Sequence, residues 1–269
     1  MWLMDSMWLN VGKQRLVFTL ALFTSVLMFG AAITTCGGGG GSDAEVVVDT
    51  TVFGRVLSAV DESPMQGVRI TVADVAGVVS TDELGRFMVP LPAAGTYAVT
   101  ASLEGYTYAQ RRAEAADKEL VSVADMFLTP LDPKEIVIGP EGGRDTNSDG
   151  RIELEVPPGA LDEMVSMRAT WFERGKHLPN FLPEASHFTY AAELTPDGQE
   201  FAAPAIVRMR NERDFAPGTP IPVGVYSPET LEWTHESMGV VSSDGQWIEF
   251  EVGHFSPRDC YLGAQYPAG

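Results

Sequence analysis

Cysteine and basic residues are scarce in this sequence of 269 residues, and each shortage excludes a class of protein. The only cysteines are Cys36 and Cys260, so a small disulfide-rich fold is excluded and stability has to come from an apolar core. Lys and Arg together number 18 against 37 Asp and Glu, which gives a formal net charge of -19. The sequence therefore lacks the basic surface that nucleic-acid binding requires, and we expect no nucleic-acid partner.

Catalytic motifs are missing as well. No GxSxG segment is present, and neither Ser256 nor Cys260 can be assigned a base from the sequence. The pair His235 and Glu236 begins like a zinc-binding HExxH helix, but the fifth position is Gly239. We therefore expect no catalytic residues, no cofactor and no enzymatic activity.

The amino-terminal segment has the pattern of an export signal. Lys13 and Arg15 precede one long apolar run, residues 16–33, which ends in small residues and Cys36. The run is just long enough to cross a bilayer as a helix, so an uncleaved anchor and an ordinary cleaved signal are the alternatives. Two tryptophans and an aspartate precede Lys13, which leaves Met4 and Met7 open as the true translation start.

Residues 33–36 resemble the lipobox of bacterial lipoproteins, in which an apolar residue stands three positions before a lipidated cysteine. The resemblance implies that residues 1–36 are a lipoprotein signal segment, that Cys36 carries the lipid and that the lipid holds the protein on the membrane. Thr35 departs from the family pattern, which has Gly or Ala there. Gly37 after the cysteine implies sorting to the outer membrane, and the glycine-rich residues 37–45 are predicted to be a flexible tether.

Short segments with alternating apolar residues follow in residues 46–130. In residues 67–72, Val68, Ile70 and Val72 share one face, and residues 96–101 repeat the pattern. Turn residues such as those at 61–64 and 92–95 separate these segments. About seven strands at this density predict a β-sandwich.

The same region resembles the carboxypeptidase regulatory-like domain, which has a transthyretin-like fold. The resemblance is carried by residues 52–56, 64–68, 81–87, 95–97 and 105–106. It implies a non-catalytic accessory domain, because the zinc ligands of the carboxypeptidases themselves are not present.

A second series of strand patterns occupies residues 131–269. Ile152, Leu154 and Val156 alternate within residues 151–156, and prolines interrupt any helical period in the later part. Residues 139–143, 154–161, 201–207 and 254–256 resemble the β-sandwich found in ankyrins, netrin receptors and zonula-occludens proteins. That resemblance implies a protein–protein scaffold.

Residues 145–153 allow two interpretations. Asp145, Asn147, Asp149 and Gly150 match the first, third, fifth and sixth positions of a calcium loop. The twelfth position is Val156 where a bidentate Glu is required, and strand follows where a helix is required. A polar hairpin tip is therefore favoured, with calcium binding as the alternative.

Taken together, the sequence predicts an all-β chain of two tandem antiparallel β-sandwiches after an export signal and a glycine-rich tether. We expect a non-catalytic, lipid-anchored protein of the bacterial cell envelope, sorted to the outer membrane, that binds an envelope or extracellular protein as a scaffold or adhesion module. Polysaccharide binding through Trp233 and Trp247 is the alternative, and an accessory part of an enzyme or toxin system comes third. The charged residues 111–119 are interpreted as a solvated turn and the approach to an edge strand.

Overall fold

The computed structural model describes residues 49–183 and 186–262, all of them within one compact unit, Val46–Gly269. The predicted signal segment 1–36 with Cys36 and the tether 37–45 lie outside the described residues. Within the described ranges, no helix is long and apolar enough to cross a membrane. Helical structure there is limited to one 3₁₀ turn at Gly175–His177.

The described chain is built from β-strands, which confirms the predicted fold class. In chain order the strands are β1 (Thr51–Ser58), β2 (Arg69–Val72), β3 (Val79–Ser80), β4 (Arg86–Pro90), β5 (Gly95–Ser102), β6 (Ala109–Ala115), β7 (Leu120–Ser122), β8 (Met126–Leu128), β9 (Ile136–Ile138), β10 (Gly143–Thr146), β11 (Ile152–Val156), β12 (Val165–Phe172), β13 (His187–Thr195), β14 (Glu200–Arg210), β15 (Pro220–Ser227), β16 (Glu232–Val241), β17 (Trp247–His254) and β18 (Arg258–Leu262).

Strands β1 to β8 form the first sandwich. One sheet has the order β4-β1-β7, with β8 also paired to β1, and the other has the order β3-β2-β5-β6. All strand pairs of this sandwich are antiparallel except that β1 pairs in parallel with β7 and with β8. The chain reaches β7 and β8 by crossing over from β6, which belongs to the second sheet. Val52, Val56, Ile70 and Val99 are among the buried side chains between the sheets.

Alternation along β4 decides which side chains are available on the surface of this sandwich. Phe87 and Val89 are buried in the core, whereas Arg86 and Met88 point outward and are exposed. The period of two in the sequence is thus reproduced in the structure.

Strands β9 to β18 form the second sandwich. They make one continuous hydrogen-bonded series in the order β10-β11-β14-β17-β16-β15-β18-β13-β12-β9. Strands from both halves of that order contribute to a single apolar core, which includes Ile136, Leu154, Tyr190 and Phe250. The series therefore folds back on itself to enclose this core, and a second sandwich results.

Candidate functional site

A cleft of about 640 Å³ lies on the first sandwich, beside strands β1 and β4. Phe53 and the exposed Met88 supply apolar surface to it, and Arg55 and Arg86 supply charge. Arg55 is directly opposite Arg86 in the register of the two strands, and Phe53 is opposite Met88. The cleft thus combines apolar surface with two arginines at directly opposite positions of neighbouring strands.

Each arginine of the cleft is held by its own carboxylate. Arg55 donates from Nε to Asp125 Oδ1 at 3.2 Å and from Nη2 to Oδ2 at 2.6 Å. Arg86 donates from Nε to Asp82 Oδ2 at 2.9 Å, and its Nη2 lies 2.8 Å from the same oxygen. Like charges on directly opposite residues of two strands are destabilising, and these carboxylates offset that repulsion.

Asp82 is also fixed by the backbone. Its Oδ1 accepts the N–H of Leu84 at 2.9 Å and that of Arg86 at 2.8 Å. The side-chain hydrogen bond from Arg86 is the largest of the effects that hold the pKa of Asp82 below its usual value. The carboxylate is therefore ionised at neutral pH and keeps the Arg86 guanidinium in place.

Gly54 keeps β1 close to the side chains behind the cleft. A Cβ atom at this position would lie 2.7 Å from Phe87 Cζ and 2.7 Å from Val123 Cγ2. Gly54 lies inside the regular strand β1. Close packing, and not backbone conformation, is what requires glycine here.

The two sandwiches meet at a second cluster, the junction. Its apolar part consists of six buried residues of the second sandwich: Phe172, Leu178, Ala191, Tyr226, Leu231 and Trp233. Ala98 and Tyr108 of the first sandwich pack against them. Trp233 also donates from Nε1 to the Asn180 carbonyl at 3.2 Å. The junction is therefore a small core of its own.

Arg111 is the main polar residue of the junction and is 3% exposed. Its Nη1 donates to the Gln110 carbonyl at 2.7 Å and to the Pro179 carbonyl at 3.0 Å, and its Nη2 donates to the Asp125 carbonyl at 2.9 Å. The guanidinium also lies 4.3 Å from the centre of the Phe181 ring. Burial lowers the pKa of Arg111 to about 10, so the group still carries its charge at neutral pH.

Gln110 connects the sandwiches directly. Its N–H donates to the Pro179 carbonyl at 2.6 Å, and its Oε1 accepts the hydroxyl of Tyr226 at 2.7 Å. Its Nε2 donates to Thr100 Oγ1 at 3.0 Å. Desolvation raises the pKa of the Tyr226 hydroxyl, so it remains a donor.

Ion pairs and a histidine lie at the edge of the junction. Glu62 of the first sandwich receives Lys176 Nζ at 2.7 Å and Arg174 Nη1 at 3.3 Å. His177 is buried, and its ring centre is 5.4 Å from that of Phe127. Burial is the main cause that lowers the pKa of His177, and the charge of Lys176 adds to it.

The sequence interpretation of residues 111–119 as solvated is wrong at its start. Arg111 belongs to β6 and lies on the same face as the buried Ala109, Ala113 and Ala115, whereas the intervening residues 112 and 114 are exposed. This period of two, rather than the charges, was the signal that could have identified the strand.

The predicted hairpin tip is present between β10 and β11. Asp145 Oδ1 accepts Lys134 Nζ at 2.6 Å, and this side-chain hydrogen bond is the largest of the effects that lower its pKa. Asn147 Oδ1 accepts the backbone N–H of Arg151 at 3.0 Å, and Asp149 Oδ2 accepts Arg151 Nε at 2.8 Å. Gly150 has a φ of 72° at the turn.

The three candidate calcium ligands therefore lie at one hairpin, Asp145 at the end of β10 and Asn147 and Asp149 in the turn, but each already has a partner within the protein. Among the described residues, no group of three or more His, Cys, Asp or Glu side chains could hold a metal ion. Calcium binding here stays a prediction, and the contacts correspond to the hairpin interpretation.

Ser256 and Glu236, two of the residues considered above as a nucleophile or zinc ligand, both contact Arg258. Arg258 is fully buried, and its Nη1 donates to Ser256 Oγ. Its Nη2 donates to the His254 carbonyl at 2.9 Å and to Glu236 Oε1 at 3.1 Å. Nothing in the sequence indicated that Arg258 would be buried, and Cys260 lies in β18 nearby in the chain.

The tryptophans proposed to stack on sugar rings do not form an exposed platform. Trp233 is buried in the junction, and Trp247 is half-buried with the Arg210 guanidinium 5.3 Å from its ring centre. Across the residues whose side chains are described, no Trp or Tyr is fully exposed. Polysaccharide binding stays a prediction to which these two residues lend no support.

Comparison with solved structures gives only loose similarity. A streptococcal ancillary pilin is 13% identical over 82% of this chain and 55% of its own, with a TM-score of 0.27. The TIE protein of Bacillus anthracis is 12% identical over 79% of this chain and 44% of its own, with a TM-score of 0.27. The major pilin subunit BcpA of Bacillus cereus is 13% identical over 78% of this chain and 57% of its own, with a TM-score of 0.22.

The chain thus spans about half the length of these three proteins. TM-scores this low do not establish a shared fold or a shared function. No curated protein matches the sequence. One family model does match: residues 51–129, the first sandwich with its cleft, match the carboxypeptidase regulatory-like domain, which confirms the resemblance predicted for this region.

Proposed function

We propose that this chain is a non-catalytic, lipid-anchored module of the bacterial cell envelope that binds a protein partner through the cleft on its first sandwich. Lipid on Cys36 supplies the attachment in this proposal, and the glycine-rich residues 37–45 supply reach. The partner is a protein of the envelope or the cell exterior.

The observation that carries the proposal is the cleft itself. Binding sites are concave, have apolar surface and contain a few polar groups in fixed positions. Phe53 and Met88 supply the apolar surface, and the carboxylates of Asp82 and Asp125 fix the two guanidinium groups.

The junction supports the same function. It joins the sandwiches through buried apolar contacts, through Gln110 and through Arg111, and so limits their relative motion. A module of this kind presents its cleft at a fixed angle to the second sandwich, which suits a scaffold.

Photo-crosslinking on intact cells tests the function. A benzoyl-phenylalanine at position 88 should capture a specific protein, whereas the same residue in place of Val60, which is 75% exposed and does not line the cleft, should not. Adding Arg55→Gln to the position-88 probe should reduce capture. Equal capture from positions 88 and 60, or capture from neither, would contradict the proposal.

A further inference from the structure

The unused hydrogen-bonding capacity of the cleft is on the donor side. The carboxylates of Asp82 and Asp125 are already engaged by arginines and backbone N–H groups. Nη1 of Arg55 and Nη1 of Arg86 have no hydrogen-bond partner among the described residues, and both side chains are exposed. A guanidinium presents five N–H donors in a planar fork that matches a carboxylate. A ligand for this cleft therefore has to bring acceptors, and a carboxylate fits best.

The floor of the cleft calls for an apolar group next to that carboxylate. Met88 is 59% exposed, and Phe53 stands opposite it on β1. Val79 of β3 adds a further partly exposed apolar side chain. An apolar side chain placed here would remove these surfaces from water.

The outer edge of β4 offers main-chain hydrogen bonds at one residue. Leu91 N–H donates to the Thr50 carbonyl at 2.8 Å, and Val56 N–H donates to the Gly85 carbonyl at 2.8 Å. The backbone groups of residues 85 and 91 therefore point toward β1. Residues along an antiparallel strand alternate between facing the partner strand and facing away, so the N–H and carbonyl of Met88 point away from β1. No described strand pairs with this edge.

The neighbours of Met88 restrict that edge to a short contact. The N–H of Arg86 donates to Asp82 Oδ1 at 2.8 Å, and its carbonyl accepts the N–H of Asp82 at 2.9 Å. Pro90 has no N–H to offer. A strand of the partner that continues past the cleft would find only one residue, Met88, with which to form main-chain hydrogen bonds. The end of a polypeptide chain needs main-chain hydrogen bonds at only one residue.

From these contacts we propose that the cleft binds the carboxyl-terminal end of a partner polypeptide whose last side chain is apolar. The terminal carboxylate contacts Arg55 and Arg86, the last side chain covers Phe53 and Met88, and the main chain pairs with Met88. A long acidic polysaccharide shares the carboxylate chemistry, but the net charge of -19 repels a polyanion more than a single terminal carboxylate. The proposal rests on the proposed function, because it names the partner chemistry of the same cleft.

Methyl NMR on the full chain in detergent tests the proposal with synthetic ligands in place of the natural partner. The methionines carry ¹³C-methyl groups, and a Met88→Leu variant identifies the Met88 signal. The probes are a short Gly-Ser peptide that ends in Phe with a free carboxylate, the same peptide with a terminal amide, and an oligomer of galacturonic acid. Met238, which is 53% exposed on the second sandwich, serves as the internal reference.

The free-carboxylate peptide should shift the Met88 signal and leave the Met238 signal in place. The amide-capped peptide should bind at least about tenfold more weakly, and so should the free peptide to Arg55→Gln and Arg86→Gln, because each change removes charge-assisted hydrogen bonds. Arg210→Gln, at an exposed position of β14 on the second sandwich, should leave the affinity unchanged. Arg86→Lys, which keeps the charge but not the fork, should also weaken binding.

Three results would overturn the proposal: no shift of Met88 with the free peptide, equal shifts with both peptides, or a shift with the galacturonic acid oligomer alone. If position 88 still captures a protein partner on cells while the free peptide does not compete, the carboxyl-terminal ligand is wrong and the binding function stands. If position 88 captures nothing, the function itself fails.

Discussion

At the scale of single residues, the junction concentrates its polar contacts on Arg111, whose guanidinium reaches three backbone carbonyls. Arg111→Ala removes these hydrogen bonds, so the Gln110 and Asp125 carbonyls lose this donor, whereas the Pro179 carbonyl keeps the backbone N–H of Gln110. We expect it to lower the free energy of unfolding by about 2 to 4 kcal/mol, measured by urea denaturation. The matched control is Arg69→Ala on the exposed side of β2, which should change it by less than about 0.5 kcal/mol. Similar values for the two variants would show that Arg111 does not hold the junction.

The burial of Glu193 leads to a prediction about how the stability of the protein depends on pH. It is 1% exposed, and burial raises the pKa of its carboxyl well above the usual value; the charge of Asp197 raises it further and that of Arg258 opposes the shift. The folded protein therefore binds this proton more tightly than the unfolded chain does. The resulting stability is fully present below the unfolded pKa of about 4.5 and is lost as pH rises through the folded pKa.

Glu193→Gln keeps a neutral side chain at every pH and should remove this loss. The melting temperature of the variant should therefore rise relative to the wild type as pH increases from about 4.5 toward neutral. Glu251→Gln, at an exposed position of β17, is the control and should show no such trend. A difference between wild type and Glu193→Gln that stays constant with pH would contradict the assigned shift.

At the scale of elements, the packing of β1 behind the cleft depends on Gly54. Gly54→Ala places a methyl group 2.7 Å from Phe87 and Val123, so we expect a loss of about 1 to 3 kcal/mol in unfolding free energy from overpacking. Gly253→Ala in β17 is the control, because nothing lies within 4 Å of a Cβ atom there. If the two alanine variants were equally stable, close packing would not be the reason for glycine at position 54.

The contacts in the hairpin between β10 and β11 lead to a prediction about the effect of calcium on stability. Lys134 and Arg151 neutralise Asp145 and Asp149, and Asn147 is used by the backbone. Added calcium or a chelator should therefore leave the melting temperature unchanged. A calcium-dependent rise that disappears in Asp145→Asn would instead establish the metal site.

Strands in which apolar and polar residues clearly alternate could be predicted from the sequence. The contacts of the junction could not. Ile152, Leu154 and Val156 are buried on β11 as their spacing predicts. The charge of Arg111 predicts exposure, whereas the buried alanines spaced by two on the same face of β6 predict burial. The Arg111 partner Pro179 is distant in the chain, and local patterns carry no information about such contacts.

The same limit applies to the candidate site. Phe53, Arg55 and Arg86 fall in segments that carry the family resemblance, and no sequence pattern singles out Met88. Their convergence depends on the register between β1 and β4, which local patterns do not give. The family resemblance placed the fold correctly but named no ligand-binding residue. The hairpin tip was predictable, since its partners are close in sequence.

At the scale of the whole molecule, two sandwiches share one junction, and the proposed function adds a lipid anchor at Cys36. The described strands place the cleft on the first sandwich and a separate apolar core in the second. The function proposed for the cleft requires that the chain be held at the envelope through Cys36. The cleft can serve this function only if Cys36 attaches the protein to the membrane.

The most direct test is membrane fractionation of cells that produce either the wild type or Cys36→Ser, combined with protease treatment of intact cells. We expect the wild type in the membrane fraction and Cys36→Ser in the soluble fraction. Cleavage of the membrane-bound wild type by external protease would place the cleft on the cell surface, and protection would place it in the periplasm. Retention of Cys36→Ser in the membrane, or a soluble wild type, would contradict lipid anchoring at Cys36.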